Sequence, residues 1–217
     1  MGEELIRNAT SEDLDALVDI YIECFPERVK EVFGGPHRRT FIRDYLHFYL
    51  SWDPASNWVY VQDGVVIGFM IAPGHYSSWR AMLSQGQLFR WISHFCRGAY
   101  GLPLHIGKQF LRGGFAFTAD SAIKHLQGKP YIHLIAVKAA ARMESSGVSP
   151  GIQLVRWMFA EHGKRGIHFW WAVVQPTERR MIPFWQWMGF RFSPIANGQH
   201  LAMLGEPEAI TPAPPCR

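Results

Sequence analysis

Ser149-Pro150-Gly151 is a place where the backbone itself could do chemistry. Serine is a favoured N-cap, and proline is favoured at the first helical position, where its missing amide proton costs nothing. A helix starting here leaves the amides of Gly151, Ile152 and Gln153 without intrahelical acceptors. With the positive end of the helix dipole, those donors form an anion site able to grip a pyrophosphate. A second feature lies upstream. The apolar run Tyr131 to Val137 reads as a strand, and alternation puts Tyr131, His133 and Ile135 on one face. An imidazole ordinarily titrates near neutral pH, so His133 is expected to be able to move a proton there.

These groups are useful only if other elements hold them. Leu5 to Asn8 predicts a short strand, and Thr10, followed by Glu12, Asp13 and Asp15, predicts the acidic start of a helix. Leu14, Leu17, Val18, Tyr21 and Phe25 give that helix a core face until Pro26 stops the pattern. A second helix is expected from about Thr40 to Trp52. Trp58 to Gln62 and Val65 to Ala72 form a hairpin around Asp63-Gly64, the dipeptide that tolerates the positive φ angles of a type I′ turn. From about 75 to 128 the pattern loosens into aromatic and basic helical pieces, read as an insertion. After the strand at Tyr131 to Val137 come a small-residue loop and an amphipathic helix, Pro150 to His162. Ile167 to Val174 is a further strand and Thr177 to Met188 a helix, with short strands at Phe190 to Phe192 and Leu201 to Leu204. This order implies one α/β (α+β) domain over 1–206, with helices on both faces of a mixed sheet, and a disordered tail over 207–217.

Bulk properties narrow the function classes. A chain of 217 residues with 48% hydrophobic content can bury one substantial core. The net charge of +4 is scattered in pairs such as Arg38-Arg39 rather than clustered, which argues against nucleic acid as a partner. There is no apolar signal core near Met1 and no run near the roughly 18 apolar residues of a membrane span. No membrane partner and a cytoplasmic location are therefore expected. Cys24, Cys96 and Cys216 lack metal-ligand spacing, so reduced thiols and no metal site are expected.

Ile135-Ala136-Val137, the loop ending Gly147-Val148-Ser149-Pro150-Gly151, and Leu154-Val155 together resemble motif A of the GNAT acetyltransferases. Phe184-Trp185-Gln186-Trp187-Met188-Gly189-Phe190 resembles the family's aromatic-x-x-x-Gly-Phe signature. The resemblance covers Tyr131 to Phe190 in residues and most of the remainder in element order. It implies a GNAT-type fold, a mostly antiparallel central sheet flanked by helices, and acetyl-CoA as the cofactor. The cofactor would lie along Ile135, Ala136 and Val137, with its pyrophosphate in the loop. Anchored on the following helix, the loop's match is Ser146, Ser149 and Gly151, with Gly147, Val148 and Ile152 beside them. Anchored on the strand it is Arg142, Ser145 and Gly147, a register that would put Pro150 inside a helix. Arg142 and Arg156 are candidates to reach the phosphates.

Two departures from the family pattern affect the chemistry. The loop holds no clean copy of the usual glycine spacing. The position where many members carry a Tyr, five residues before the signature Phe, is Trp185, and an indole donates no proton at neutral pH. Trp185 is instead expected to line the cofactor channel, while Trp170, Trp171 and Trp187 read mostly as core. Direct acyl transfer needs a deprotonated amine, a donor to the developing oxyanion and a proton acceptor. The resemblance implies a backbone amide near Val137 for the oxyanion and His133 as base, with Tyr131 as a candidate proton donor. His168 and Glu178 are alternatives. The function expected is N-acetylation of a small amine, for example an amino sugar or amino-acid derivative, by a monomer or homodimer. The alternatives are a non-catalytic CoA-binding or partner-binding module and a peptide N-terminal acetyltransferase.

Overall fold

Two antiparallel sheets touch at a single point, and the fold is best followed from the strands that make it. The computed structural model describes residues 4–32, 38–75, 87–100, 123, 125–126, 128–143, 148–195 and 198–205. The first sheet has the order β1 (Glu4–Asn8), β2 (Asn57–Gln62), β3 (Val65–Ile71), β4 (Leu134–Val137). The second has β5 (Trp170–Val174) at its edge, paired with β7 (His200–Leu204), which pairs with β6 (Arg191–Pro194). An isolated parallel bridge, Tyr131 to Trp171, connects the two. The β2–β3 turn is the expected type I′, with φ of 51° at Asp63 and 76° at Gly64.

Alternation along the strands sorts side chains into two cores. Val59, Phe69, Leu134 and Ala136 pack with Leu17, Ile42 and Leu46 from α1 (Leu14–Cys24) and α3 (Arg38–Trp52). Trp58, Tyr60, Met70 and Val137 point the other way, onto Leu154, Val155 and Met158 of a long helix at Pro150–Lys164. Leu17, Ile42 and Leu46 are fully buried, so truncating any one to Ala costs roughly 2–5 kcal/mol. Helices thus cover both faces of the first sheet.

Several elements differ from expectation. Pro26 ends α1 but also opens α2 (Pro26–Val32), as its preset φ and missing N–H allow at a first helical position. The described part of the expected insertion includes one helix, α4 (Gln87–Cys96), held to α3 where His94 and Tyr100 both bond the buried Asp44 at 2.6 Å. Most of the remaining insertion, with Tyr76, Trp79, Arg80, His105 and Lys108, and the 207–217 tail lie outside the described residues. After β4 the chain forms α5 (Ala139–Met143) where only a loop was expected, because Ala139, Ala140 and Ala141 are strong helix formers. The long helix, α6 (Pro150–Lys164), follows. The segment Thr177 to Met188 is a 3-10 turn at Pro176–Met181 and then α7 (Ile182–Trp187) rather than one helix. No helix among the described residues is long and apolar enough to cross a membrane.

His162 on α6 ties the two sheets together. The indole N–H of Trp170 in β5 donates to its Nδ1 at 2.9 Å, so the ring proton belongs on Nε2, which faces Ser56 Oγ at 3.2 Å. Burial, reinforced by Arg165, pushes its pKa down to about 4. A histidine depressed from about 6.5 to about 4 leaves the native state unprotonated while the unfolded chain takes up the proton. Stability is then fully present above pH 6.5 and declines as the pH falls toward 4, by on the order of 3 kcal/mol from this residue. Urea unfolding at a series of pH values is expected to show that decline, and His162→Gln to be less stable at pH 7.5 with a shallower slope between pH 6.5 and 4. An unchanged slope in the variant would assign the acid sensitivity to other groups.

Candidate functional site

Near Tyr131, β4 and β5 run side by side. The Ile132 N–H donates to Trp171 O at 2.8 Å, and the Trp171 N–H to Pro130 O at 3.2 Å. Beyond that pair the strands belong to different sheets, and a cavity of about 540 Å³ opens between them. This lies within the roughly 300–1,000 Å³ of small-molecule sites. Ile135 and Val137 line one wall, Val174 and Trp185 the other, with Arg28 and His133 toward one end and Ser149 and Gly151 on the α6 side.

The expected alternation along β4 breaks at His133. Its N–H donates to Ile71 O at 2.9 Å, while the strand register sets Leu134 opposite the same Ile71. Two residues therefore face one, a bulge, and side chains after it change sides. His133 shares a face with Tyr131, their rings 5.5 Å apart, and meets α3, whereas Ile135 packs in the α6 core. The expectation that His133 and Ile135 share a face is corrected accordingly. Downstream, the Lys138 N–H donates to Ile67 O at 2.8 Å, which fixes the phase. Alternation then turns the amides of Ile135 and Val137 away from β3, toward the cleft.

His133 is clasped by aromatic rings. The Tyr45 hydroxyl bonds its Nε2, and the Tyr49 ring stacks on it at 4.0 Å with an interplanar angle of 23°. Its Nδ1 is buried and finds no partner among the described residues. Burial, then the nearby Arg28 cation, holds its pKa well below the usual histidine value, so the ring is neutral at physiological pH. The Tyr45 phenol is pushed up to about 12, chiefly by burial, and stays protonated. Tyr131 is buried against Trp171, rings 4.5 Å apart, at the point where the strands part.

At the α6 mouth, Ser149 is the N-cap, with ψ of 137° and no side-chain capping bond, and Pro150 is the first helical residue. This start agrees with the helix-anchored register. One expected donor is already used: the Gln153 N–H bonds Ser149 O at 3.1 Å. The helix mouth therefore offers the amides of Gly151 and Ile152. A Cβ on Gly151 would meet Val137 Cγ2 at 3.8 Å and Ile135 Cδ1 at 4.0 Å, so the glycine keeps the helix mouth open onto β4.

The other sequence candidates divide clearly. Ile135, Ala136, Val137, Ser149, Gly151, Trp185, Tyr131, His133 and Glu178 all line the cavity. Val148 is exposed and offers its carbonyl to Gln153 Nε2 at 2.9 Å, and Ile152 is partly buried in the first turn of α6. Arg142 sits in α5, but its side chain, like Ser146 and Gly147, lies outside the described residues. Arg156 and His168 are exposed and line no part of the cavity. Trp187, grouped with the core tryptophans, is 63% exposed, because the short α7 turns only Trp185 inward. Sequence reasoning missed Arg28, Tyr45 and Tyr49. The available signal was Pro26, which as a helix opener carries Arg28 around the end of α1, and the i, i+4 pair Tyr45 and Tyr49 on one side of α3.

No protein-family model matches the sequence, and no curated protein matches it. Solved structures do. The PaiA N-acetyltransferase of Thermoplasma acidophilum, in complex with coenzyme A, aligns over 94% of this chain and 99% of its own, with TM-score 0.58 and 11% identity. A polyamine N-acetyltransferase of Drosophila melanogaster aligns over 93% and 98%, with TM-score 0.56 and 12% identity. A GNAT-family acetyltransferase of Listeria monocytogenes aligns over 92% and 93%, with TM-score 0.51 and 16% identity. Identities this low establish the fold: the chain has the GNAT acetyltransferase fold, as its motifs implied.

The α6 mouth can be tested without knowing an acceptor. Gly151→Asp places a carboxylate where a diphosphate would sit, yet an acid in the first turn suits the helix dipole. The variant is expected to keep its melting temperature within a few degrees and to lose at least about tenfold in affinity for coenzyme A by isothermal titration. Unchanged affinity would place the phosphates elsewhere.

Proposed function

We propose that this chain, built on the GNAT fold, binds acetyl-CoA in the β4–β5 cleft and transfers the acetyl group to a small amine. The single observation that supports this most is the arrangement along β4. Cleft-facing amides of Ile135 and Val137 lie between a helix mouth suited to phosphate and an imidazole with an unpartnered Nδ1.

The residues fit the cofactor. The Gly151 and Ile152 amides and the uncommitted Ser149 hydroxyl would hold the diphosphate, with the α6 dipole adding to their pull. The Val137 amide would donate to a carbonyl of the pantetheine arm, while Trp185 and Phe184 close the opposite wall. Bound acetyl-CoA supplies an acyl group activated as a thioester. Of the two cleft-facing amides, that of Ile135, two residues from His133, would donate to the developing oxyanion, and a preorganised donor in a dry cleft is worth several kcal/mol at the transition state.

His133 serves as proton acceptor. Either tautomer satisfies the Tyr45 contact, but only the form with its proton on Nε2 leaves the Nδ1 lone pair to receive a proton from the attacking amine. The depressed pKa means that the ring stays neutral well below pH 6.5. Tyr45 and Tyr49 hold the ring in place, and the Tyr131 hydroxyl is the candidate donor to the leaving thiolate in the absence of a tyrosine at position 185.

Titration calorimetry with acetyl-CoA, followed by a thiol-release assay over an amine panel, tests the proposal. Saturable binding and turnover are expected. His133→Gln should lower kcat by about 100-fold or more while leaving coenzyme A affinity within about threefold. The acid limb of the wild-type kcat profile, measured with an amine of low pKa, should contain no His133 inflection at or above pH 6.5. Binding without turnover on any amine would favour a non-catalytic CoA-binding module.

A further inference from the structure

Among the described arginines only Arg7 and Arg28 are partly buried, and Arg28 is the one of the two that faces no aspartate. Arg7, Arg39, Arg43, Arg90 and Arg165 each face an aspartate, Asp13, Asp19, Asp15, Asp44 and Asp53 respectively. Arg28, partly buried on α2, lines the cavity instead, and among the described residues no carboxylate stands within ion-pair reach of it. Its neighbours are the phenols of Tyr21, Tyr45 and Tyr131 and the carboxylate of Glu178, which stands beyond ion-pair distance. Burial opposes its charge, the Tyr21 and Tyr45 phenols are neutral at physiological pH, and an arginine stays charged in any case. A cation in a confined apolar cleft without an adjacent counter-ion is poorly compensated, and a bound anion would supply what is missing.

We propose that the acceptor carries an anionic oxo group, carboxylate or phosphate, a short linker away from its reactive amine, and that Arg28 pairs with that group. The inference rests on the acyl-transfer reading and names the substrate class of the same site.

Its position separates Arg28 from the cofactor's phosphates. Arg28 is close enough to His133 to depress its pKa, whereas Val137, which packs beside Gly151 at the α6 mouth, is four residues farther along the strand. At about 3.3 Å per residue that is roughly 13 Å from His133. The guanidinium therefore belongs to the end of the cleft where the amine must meet the imidazole. Its planar fork suits a bidentate bond to carboxylate or phosphate. The other charges facing this part of the cleft are Glu178 and, at the rim, Glu27, which can attract the ammonium pole of an amino acid as it enters. Tyr131 and Phe25 supply apolar wall beside them. A bound anion would also cancel part of the Arg28 field on His133, so that the correct acceptor makes the proton acceptor more basic on arrival. A polycationic amine would meet that field uncompensated.

The test compares three sets of acceptors with saturating acetyl-CoA: α-amino acids, their decarboxylated amines and carboxamides, and O-phosphoethanolamine beside ethanolamine. The wild type is expected to favour the anionic member of each pair by 30-fold or more in kcat/KM, chiefly through KM. The carboxylate and phosphate arms show which anion is read. Arg28→Met should abolish the preference and Arg28→Lys should retain part of it, with coenzyme A affinity within threefold in both. Binding of the same amino acids by calorimetry without acetyl-CoA gives a second readout, expected to be saturable in the wild type and lost in Arg28→Met. Equal use of neutral and anionic amines, or a preference that survives Arg28→Met, would overturn the anion site and leave acyl transfer standing. Arg28-dependent binding of an amino acid with no turnover would leave the anion site standing and remove acyl transfer.

Discussion

The backbone pairing of Tyr131 with Trp171 is the contact from which the rest of the cleft follows. Two parallel strands joined there and nowhere farther along must leave their facing amides and carbonyls to other partners, because buried backbone groups are not left unpaired at equilibrium. On the β4 side those groups include the amides of Ile135 and Val137. The bulge at His133 lies just past the contact. It swings the imidazole toward α3 and returns Ile135 to the α6 face, so that one short strand presents a side chain for proton transfer and a backbone edge for an extended ligand.

Two histidines in the described interior show how surroundings separate framework from chemistry. His162 has both ring nitrogens engaged, by Trp170 and Ser56, and is sealed from solvent by the packing of α6 on the sheet. Nothing can reach it, and its neutrality serves the fold. His133 is also neutral, but it is tethered at one nitrogen only and looks onto a cavity that holds an arginine. The two depressed pKa values arise from the same dominant cause, burial, and mean different things because only one ring has access to a ligand.

The legible parts of the sequence were those governed by short-range rules. Asp63-Gly64 specified its turn, the apolar spacing from Leu14 to Phe25 specified a helix and its buried face, and Ser149-Pro150-Gly151 specified where α6 begins. Together with the aromatic run ending at Phe190, these were enough for the GNAT fold, and they placed nine of the weighed site residues around one cavity. What escaped depended on long-range geometry. Strand alternation cannot reveal a bulge whose second residue is defined by Ile71, more than sixty positions earlier. Tyr45 and Tyr49 read as one face of a buried helix, and nothing local showed that this face ends on His133. Arg28 was invisible for the same reason: a charged residue after a proline looks like solvent-facing turn until α2 is seen to fold back over the cleft. Gln153 was misjudged by a single position, since the first α-helical bond already closes on Ser149.

The central claim is that amides at the α6 mouth and along the cleft-facing edge of β4 hold coenzyme A between the parted strands. Amide hydrogen exchange with and without saturating coenzyme A measures this directly. The account predicts slowed exchange confined to peptides covering 132–138 and 148–156, with the β2–β3 hairpin turn at Asp63-Gly64 unaffected. Saturated protein whose exchange in both of those segments matches the free form would contradict it.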